Sequence, residues 1–376
     1  MTWASYHRES EAAAAAAEVA ARSGSIEKAV RLYAAAADAE TRALDALDAS
    51  KVRTLGITAV SAVALWYKAK EYGHAEQMAH HWLGTGALPR FATEQVRTLL
   101  QTVWTTEAAE RSGVGFVPGD VLVSIKGGKV VFGGAPLDLI VRKVEEVQAV
   151  FFRTAELLLG LPLRRRGGPS QDLQATFQPW LFQVPAGSYQ FAIRVQEPPQ
   201  VELFPNARPR VEQVTRKFLE IIQATAHDPA EKLNEVVPDR DYRAAFLKLA
   251  RNLAPTGKAF DHLEIRDASA PATRPTYLGV AARAEINATI RKERQPSLVE
   301  DDGNPAQLSG VLRAVHLDQD WIELAVPGLP EAHTKVFDVG ELLDDVLGPL
   351  VNRRVIVTVL RKPTGRLSIR DIEAED

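Results

Sequence analysis

The segment between Pro136 and Gly160 constrains the fold most strongly, because the sequence marks both of its ends and its apolar face. Apolar residues recur at steps of three and four from Ile140 to Leu158, which predicts a helix of about 23 residues, roughly 35 Å long. Pro136 suits the first turn, Gly160 suits a left-handed C-cap, and Pro162 prevents continuation. Such a helix needs a sheet or a bundle against which to bury its apolar face.

The composition is that of a globular protein. The chain has 376 residues, 46% of them apolar and 25% charged, which is enough for about two or three domains. It contains no cysteine, which excludes disulfides, thiolate catalysis and iron–sulfur ligation. The N-terminus does not have the pattern of a secretory signal, and no apolar run approaches the length of a membrane span. We therefore expect a cytoplasmic protein with no membrane partner.

Residues 4–112 predict an almost continuous series of about three to five helices, because alanine favours helix and Gly24, Gly73 and Gly113 fall where helices would turn. The last helix is expected from about Phe91 to Arg111. The segments GSIEKAVRLYAAAA and SAVALWYKAKEYGHAEQMAHHWLG place small residues at helical steps beside a turn glycine. These hairpins resemble tetratricopeptide repeats, and the resemblance implies a concave surface that binds other proteins.

Residues 113–292 predict a central α+β domain with an antiparallel sheet. VLVSI, a turn at Gly127 and Gly128, and VVF form a hairpin signal, because paired glycines supply positive φ angles. The alternation from Tyr189 to Val195 predicts another strand. Two amphipathic helices and two strands are expected further along, at 211–221, 242–253, 259–266 and 286–290.

Residues 293–307 are polar and acidic, with two prolines, which predicts a linker. Five strands and a short helix between the third and fourth are expected beyond it, at 308–316, 321–326, 333–338, 353–360 and 366–373. That order resembles an OB-fold barrel, although an SH3-like barrel or an edge-extended sheet would give a similar pattern. The whole chain is thus predicted to be multidomain α+β: an all-α helical hairpin array at 1–112, the central domain at 113–292, and a small β-barrel at 308–376.

An anion site is predicted at Arg164, Arg165 and Arg166, which precede Gly167 and Gly168. Three guanidinium groups beside a flexible backbone can clamp phosphate or carboxylate. The alternative is a solvated loop whose positive charge complements the negative C-terminal end of the preceding helix.

The candidate metal ligands in the sequence are His74, His80 and His81, with Glu71 and Glu76 nearby. The i, i+3 and i, i+4 spacings suit metal binding, but adjacent His80 and His81 face different directions on a helix. We therefore expect surface histidines and no metal.

No catalytic residue is assigned. Asp239 with Asp241 and Asp318 with Asp320 are paired carboxylates, but the first pair is expected to cap a helix and the second to form a turn. Phosphate-binding glycine motifs and the G-x-S-x-G elbow do not occur in the sequence. No cofactor is expected.

Nucleic-acid binding by the C-terminal segment requires stacking rings within a positively charged groove. Its aromatic residues are Trp321 and Phe337, and residues 307–376 hold 12 acids against 8 bases, a net charge of −4. This charge opposes contact with phosphates, which supplies most non-specific affinity. Trp321 and Phe337 are therefore interpreted as core.

The function these features favour is that of a non-catalytic adaptor or regulatory subunit binding a protein partner through the helical array. The candidate contact residues are Tyr33, Trp66, Tyr67 and Trp82. The alternative is a nucleic-acid-associated protein using Arg164–Arg166 and the barrel, and an enzyme with an unrecognised site comes third.

Overall fold

The computed structural model describes residues 2–48, 50–112, 121–131, 134–183, 189–196, 209–267, 274–293, 305–326, 333–340, 342 and 344–375. Within these ranges the protein is mixed α+β, with 12 α-helices and two sheets of five strands each. The predicted α+β class is confirmed. The chain separates into two compact units, Met1–Gly115 and Phe116–Asp376. The predicted linker at 293–307 lies mostly outside the described residues.

The first unit consists of five consecutive helices: α1 (Trp3–Arg22), α2 (Ile26–Asp45), α3 (Val52–Lys68), α4 (Tyr72–Thr85) and α5 (Arg90–Ser112). Small side chains let neighbouring helices approach closely, and Ala17 of α1 and Ala36 of α2 are fully buried in one cluster. Gly24 turns the chain with a φ of 77°. The turn predicted at Gly73 is wrong, because Gly73 lies inside α4 and the chain turns at Lys70, with a φ of 59°. Gly113 lies outside the described residues.

The second unit begins with an open sheet covered by helices. Its strands are β1 (Val121–Lys126), β2 (Pro179–Gln183), β3 (Tyr189–Val195), β4 (His262–Asp267) and β5 (Thr276–Gly279). Its helices are α6 (Leu137–Leu158), α7 (Gln171–Thr176), α8 (Val211–His227), α9 (Glu231–Val236), α10 (Arg240–Leu253) and α11 (Val280–Glu293). The strand order is β2-β3-β1-β4-β5, and every neighbouring pair is antiparallel. One hydrophobic core joins this sheet to α6, α8, α10 and α11.

The helix predicted from its marked ends is α6. It begins after Pro136, and Gly160 follows its end with a φ of 65°. The Leu161 N–H donates to the Glu156 carbonyl at 3.1 Å, which closes the left-handed cap. Phe151 is buried on its apolar face against the sheet and α8.

Two strand predictions for this region are wrong. Gly127 and Gly128 have positive φ angles, but β1 pairs with β3 and β4 rather than with the next segment of chain. In the described part of that segment, the strand pairing is a single bridge between Val131 and Gly134. The pattern at 286–290 lies in α11, because Ile286 and Ile290 are four residues apart and share a helical face as well as a strand face.

The C-terminal part of the second unit is a five-stranded sheet that closes on itself, called here the closed sheet. It comprises β6 (Ala306–His316), β7 (Trp321–Ala325), β8 (His333–Phe337), β9 (Arg354–Arg361) and β10 (Leu367–Ala374), with helix α12 (Asp344–Leu347) between β8 and β9. The order is β10-β8-β7-β6-β9, and β10 also pairs with β9. Aliphatic side chains such as Leu312, Ile322 and Val357 fill its interior.

Candidate functional site

Two aromatic side chains lie on the outer face of the closed sheet. Trp321 of β7 and Phe337 of β8 are directly opposite each other in the strand register. The alternate positions of the two strands point inward and are fully buried: Ile322, Leu324 and Val336. Because side chains alternate between the faces of a strand, both rings point outward, and both are partly exposed. The interpretation of Trp321 and Phe337 as core is therefore wrong.

Each ring is covered by a cation. The Lys335 Nζ lies 4.2 Å from the centroid of the Trp321 ring, and the Arg366 Cζ lies 4.1 Å from the centroid of the Phe337 ring. These distances are within the range of cation–π attraction. The His316 ring lies 5.2 Å from the Trp321 ring. The outer face thus combines aromatic surface with positive charge.

The carboxylate of Asp338 holds two cations at the edge of this face. Its Oδ2 lies 2.7 Å from the Lys362 Nζ, and its Oδ1 lies 3.5 Å from an Arg366 terminal nitrogen. The hydrogen bond from Lys362, and after it one from Ser368, lowers the pKa of Asp338 below its ordinary value. Lys362 and Arg366 flank the β9–β10 turn, where Gly365 has a φ of 80°. This turn therefore carries charge next to the Phe337 ring.

Several acids of α12 and β10 are paired with arginines that come earlier in the second unit. Arg153 of α6 lies 2.8 Å from a carboxylate oxygen of Asp345. Arg251 of α10 lies 2.6 Å from Asp371, and Arg283 of α11 lies 2.9 Å from Glu373. A fourth acid, Asp344, lies 3.6 Å from Arg166. Setting these four aside leaves 8 acids against 8 bases in residues 307–376. The net charge of −4 therefore overstates the negative charge that the closed sheet presents to a ligand.

The predicted anion cluster contacts groups of its own chain. Arg164 Nε lies 2.8 Å from a carboxylate oxygen of Glu156, which is nearly fully buried. Arg166 donates to the Leu342 carbonyl at 2.6 Å. Arg165 is the more exposed of the three, and its guanidinium lies 4.0 Å from the Asp241 carboxylate. Anion binding by this cluster stays a prediction, and the contacts favour a structural role for Arg164 and Arg166.

The predicted partner-binding residues make contacts inside the helical array. Tyr33 is buried, and the Lys68 ammonium lies 5.2 Å from its ring centroid. Trp66 Nε1 donates to Thr41 at 3.2 Å, and the Tyr67 hydroxyl bonds to Thr106 at 3.2 Å. Trp82 packs against the cluster around Leu44 and Leu55. A role for Tyr33, Trp66, Tyr67 and Trp82 in partner binding stays a prediction.

An exposed apolar patch that the sequence analysis missed lies elsewhere on the array. Val52 and Ile57 of α3 and Phe91 of α5 are exposed, and they line one concavity with Arg53 and Pro89. The available signal was the phase of Ile57 and Phe91, which lie outside the periodic core positions of α3 and α5.

The histidines considered as metal ligands form separate pairs. His74 lies 3.5 Å from Glu71, and His80 lies 3.6 Å from Glu76. No group of three or more histidine or acidic residues in the described ranges is arranged to hold a metal ion.

The paired carboxylates have the local roles expected of them. Asp239 accepts a hydrogen bond from the Tyr242 backbone N–H at 2.9 Å and caps α10, as predicted. Asp320 lies in the turn between β6 and β7 with a φ of 61°.

The sequence matches no known protein-family model, no curated protein and no solved structure. None of the helices in the described part of the chain has the length and apolar character that crossing a bilayer requires.

Proposed function

We propose that the protein binds single-stranded nucleic acid on the outer face of the closed sheet, which we interpret as an OB-like barrel. The strand order supports this interpretation. The first three strands, β6, β7 and β8, are antiparallel neighbours, β9 lies beside β6, and β10 lies between β8 and β9. OB-folds bind oligonucleotides on their second and third strands and on the loops that join strands one to two and four to five. The corresponding parts here are β7, β8 and the turns at 317–320 and 362–366.

The pair of partly exposed rings beside cations carries the proposal. Base–aromatic stacking contributes about 1–3 kcal/mol per base and tolerates any base, because every base has a π-face. Trp321 and Phe337 offer two such surfaces side by side. Lys335 and Arg366 are exposed side chains, so they can move from the rings to neighbouring phosphates when a base stacks. A duplex hides the faces of its bases, so a single strand fits this surface better.

Fluorescence anisotropy with a labelled oligothymidylate of about 15 nucleotides tests the proposal. Trp321→Ala and Phe337→Ala should each weaken binding by about tenfold or more, since 1.4 kcal/mol corresponds to a factor of ten. Trp180→Ala is the matched control, because Trp180 is an exposed tryptophan on the open sheet of the same unit. Absence of binding by the native protein at low salt would refute the proposal, and so would equal losses in Trp321→Ala and Trp180→Ala.

A protein partner for the helical array is our second proposal, and the exposed patch of Val52, Ile57 and Phe91 favours it. In this proposal the first unit is a tetratricopeptide-like array acting as an adaptor. Native mass spectrometry of the protein isolated from its own cells, with and without nuclease, tests it. A stoichiometric protein partner should survive nuclease and be lost in the Ile57→Ser/Phe91→Ser variant. Retention of the partner by that variant would exclude the patch.

A further inference from the structure

We propose that Asp338 is an internal competitor for nucleic-acid phosphate, holding Lys362 and Arg366 in the free protein until a bound strand takes them. This inference rests on the proposed binding of single-stranded nucleic acid. It identifies the residue that tunes the affinity of that face, and the kind of ligand that the face selects.

The contacts of Asp338 resemble those of a bound phosphate. Each carboxylate oxygen faces one cation: Oδ2 faces Lys362 at 2.7 Å and Oδ1 faces Arg366 at 3.5 Å. Lysine and arginine bind phosphate oxygens through charge-assisted bonds of the same kind. The side chains of Lys362 and Arg366 are 43% and 45% exposed, so both can reach a ligand in solvent.

Asp338 is fixed more firmly than the two cations it holds. Its φ of 63° places it in the left-handed region, which aspartate adopts more readily than most residues other than glycine. Its N–H donates to the Asp320 carbonyl at 3.1 Å, and its carboxylate is bonded by Ser368. When the cations turn toward a strand, the carboxylate therefore stays behind, and its negative charge opposes the strand.

Competition of this kind favours a polymer over a single anion. An isolated phosphate ion gains little by replacing a carboxylate that is already in place. A strand that also stacks bases on Trp321 and Phe337 gains additional free energy and can separate the two weak, exposed ion pairs. The face should therefore bind oligonucleotides and discriminate against inorganic phosphate.

The test compares oligothymidylate binding by the native protein, Asp338→Asn and Asp318→Asn over a range of salt. Asparagine tolerates the left-handed region, and Asp318 is an exposed acid in the β6–β7 turn, so Asp318→Asn makes the same charge change next to the face. Asp338→Asn should bind about fivefold more tightly at low salt, because two exposed ion pairs no longer compete. The gain should shrink at high salt as screening increases. Asp318→Asn should stay within about twofold of native.

Two outcomes would overturn the inference. One is unchanged or weaker binding by Asp338→Asn, and the other is an equal gain in Asp318→Asn. Asp338→Gly repeats the test should the asparagine variant fail to fold, since glycine adopts a positive φ without strain.

A native protein that does not bind oligothymidylate would mean that the proposed function itself fails. Binding that depends on Trp321 but not on Asp338 would remove this inference alone. Inorganic phosphate added as a competitor should displace the strand from Asp338→Asn more readily than from the native protein.

Discussion

The pairing of Arg251 with Asp371 leads to a quantitative prediction for the stability of the second unit. Arg251 is 0% exposed, and its Nη1 lies 2.6 Å from the Asp371 carboxylate. Its Nη2 donates to the Ile372 carbonyl at 2.7 Å. Asp371→Asn keeps the shape of the side chain and removes its charge, so the buried guanidinium loses the carboxylate that neutralises it.

Removing one partner of a buried ion pair destabilises a protein by about 3–5 kcal/mol, because the other charge remains buried without compensation. The Asp371 side chain is 21% exposed, and the Ile372 carbonyl stays in place, so we expect the lower end, about 3 kcal/mol. In a unit of this size 1 kcal/mol corresponds to about 2–4 °C, so the midpoint of thermal unfolding should fall by about 6–12 °C.

Urea unfolding followed by circular dichroism measures the change, and a thermal scan gives the midpoint. Asp318→Asn serves as the control and should change stability by less than about 0.5 kcal/mol, because Asp318 is exposed. Arg251→Met combined with Asp371→Leu should recover most of the loss, since apolar residues can replace both members of a buried pair. A loss below about 1 kcal/mol in Asp371→Asn would refute the reasoning, because it would mean that Arg251 does not need this carboxylate.

Two further predictions concern the open sheet and its helices. Gly128→Ala should destabilise the second unit by more than about 1 kcal/mol in urea unfolding. The reason is that Gly128 has a φ of +61° and an added Cβ would lie 2.6 Å from the Ala259 carbonyl oxygen. Gly167→Ala is the control for the effect of a positive φ alone, because Gly167 has open space around it. Burial, and then the charge of Glu156, raises the pKa of Tyr242 to about 12 from 10.0. The raised pKa stabilises the folded state fully below pH 10, and this contribution is lost as the pH rises through about 12. The free energy of unfolding of Tyr242→Phe should therefore fall less steeply with pH over that range than that of the native protein. An unchanged slope would contradict the raised pKa of Tyr242.

The sequence predicted elements whose signals are local. Pro136 and Gly160 define the ends of α6 within the chain itself, and Asp239 caps α10 through a neighbouring backbone N–H. Pairing between distant strands leaves no such signal. The glycine turn after β1 predicted that β1 pairs with the next segment of chain. In the structure β1 pairs with two distant strands instead, and Val121 lies opposite Ile193 of β3 on one side and Asp267 of β4 on the other.

The outward position of Trp321 and Phe337 could have been read from the sequence. Each ring shares its strand face with a charged residue, Glu323 or Lys335. The opposite phase consists of aliphatic residues and Thr334 and carries no charge. In a small closed sheet, the strand face without charged residues is expected to point into the interior. The acidic total of residues 307–376 led to the opposite interpretation. The cation over the Phe337 ring could not have been predicted in the same way, because Arg366 directly precedes β10, a strand that meets β8 only after the sheet closes.

The charge count failed for a related physical reason. A sum over residues 307–376 treats every acid of the segment as available to repel a ligand, yet Asp345, Asp371 and Glu373 face arginines that lie on α6, α10 and α11. An ion pair that crosses a segment boundary places its two charges in different sums, so the segment looks acidic although the folded unit neutralises it. The potential felt by a phosphate depends on charges that remain unpaired within about a Debye length, roughly 8 Å at physiological salt. On the outer face Lys335 lies over the Trp321 ring, and Lys362 and Arg366 share the single carboxylate of Asp338. Two cations therefore face one anion there, which is why a segment with an acidic total can still present a surface that attracts a nucleic-acid strand.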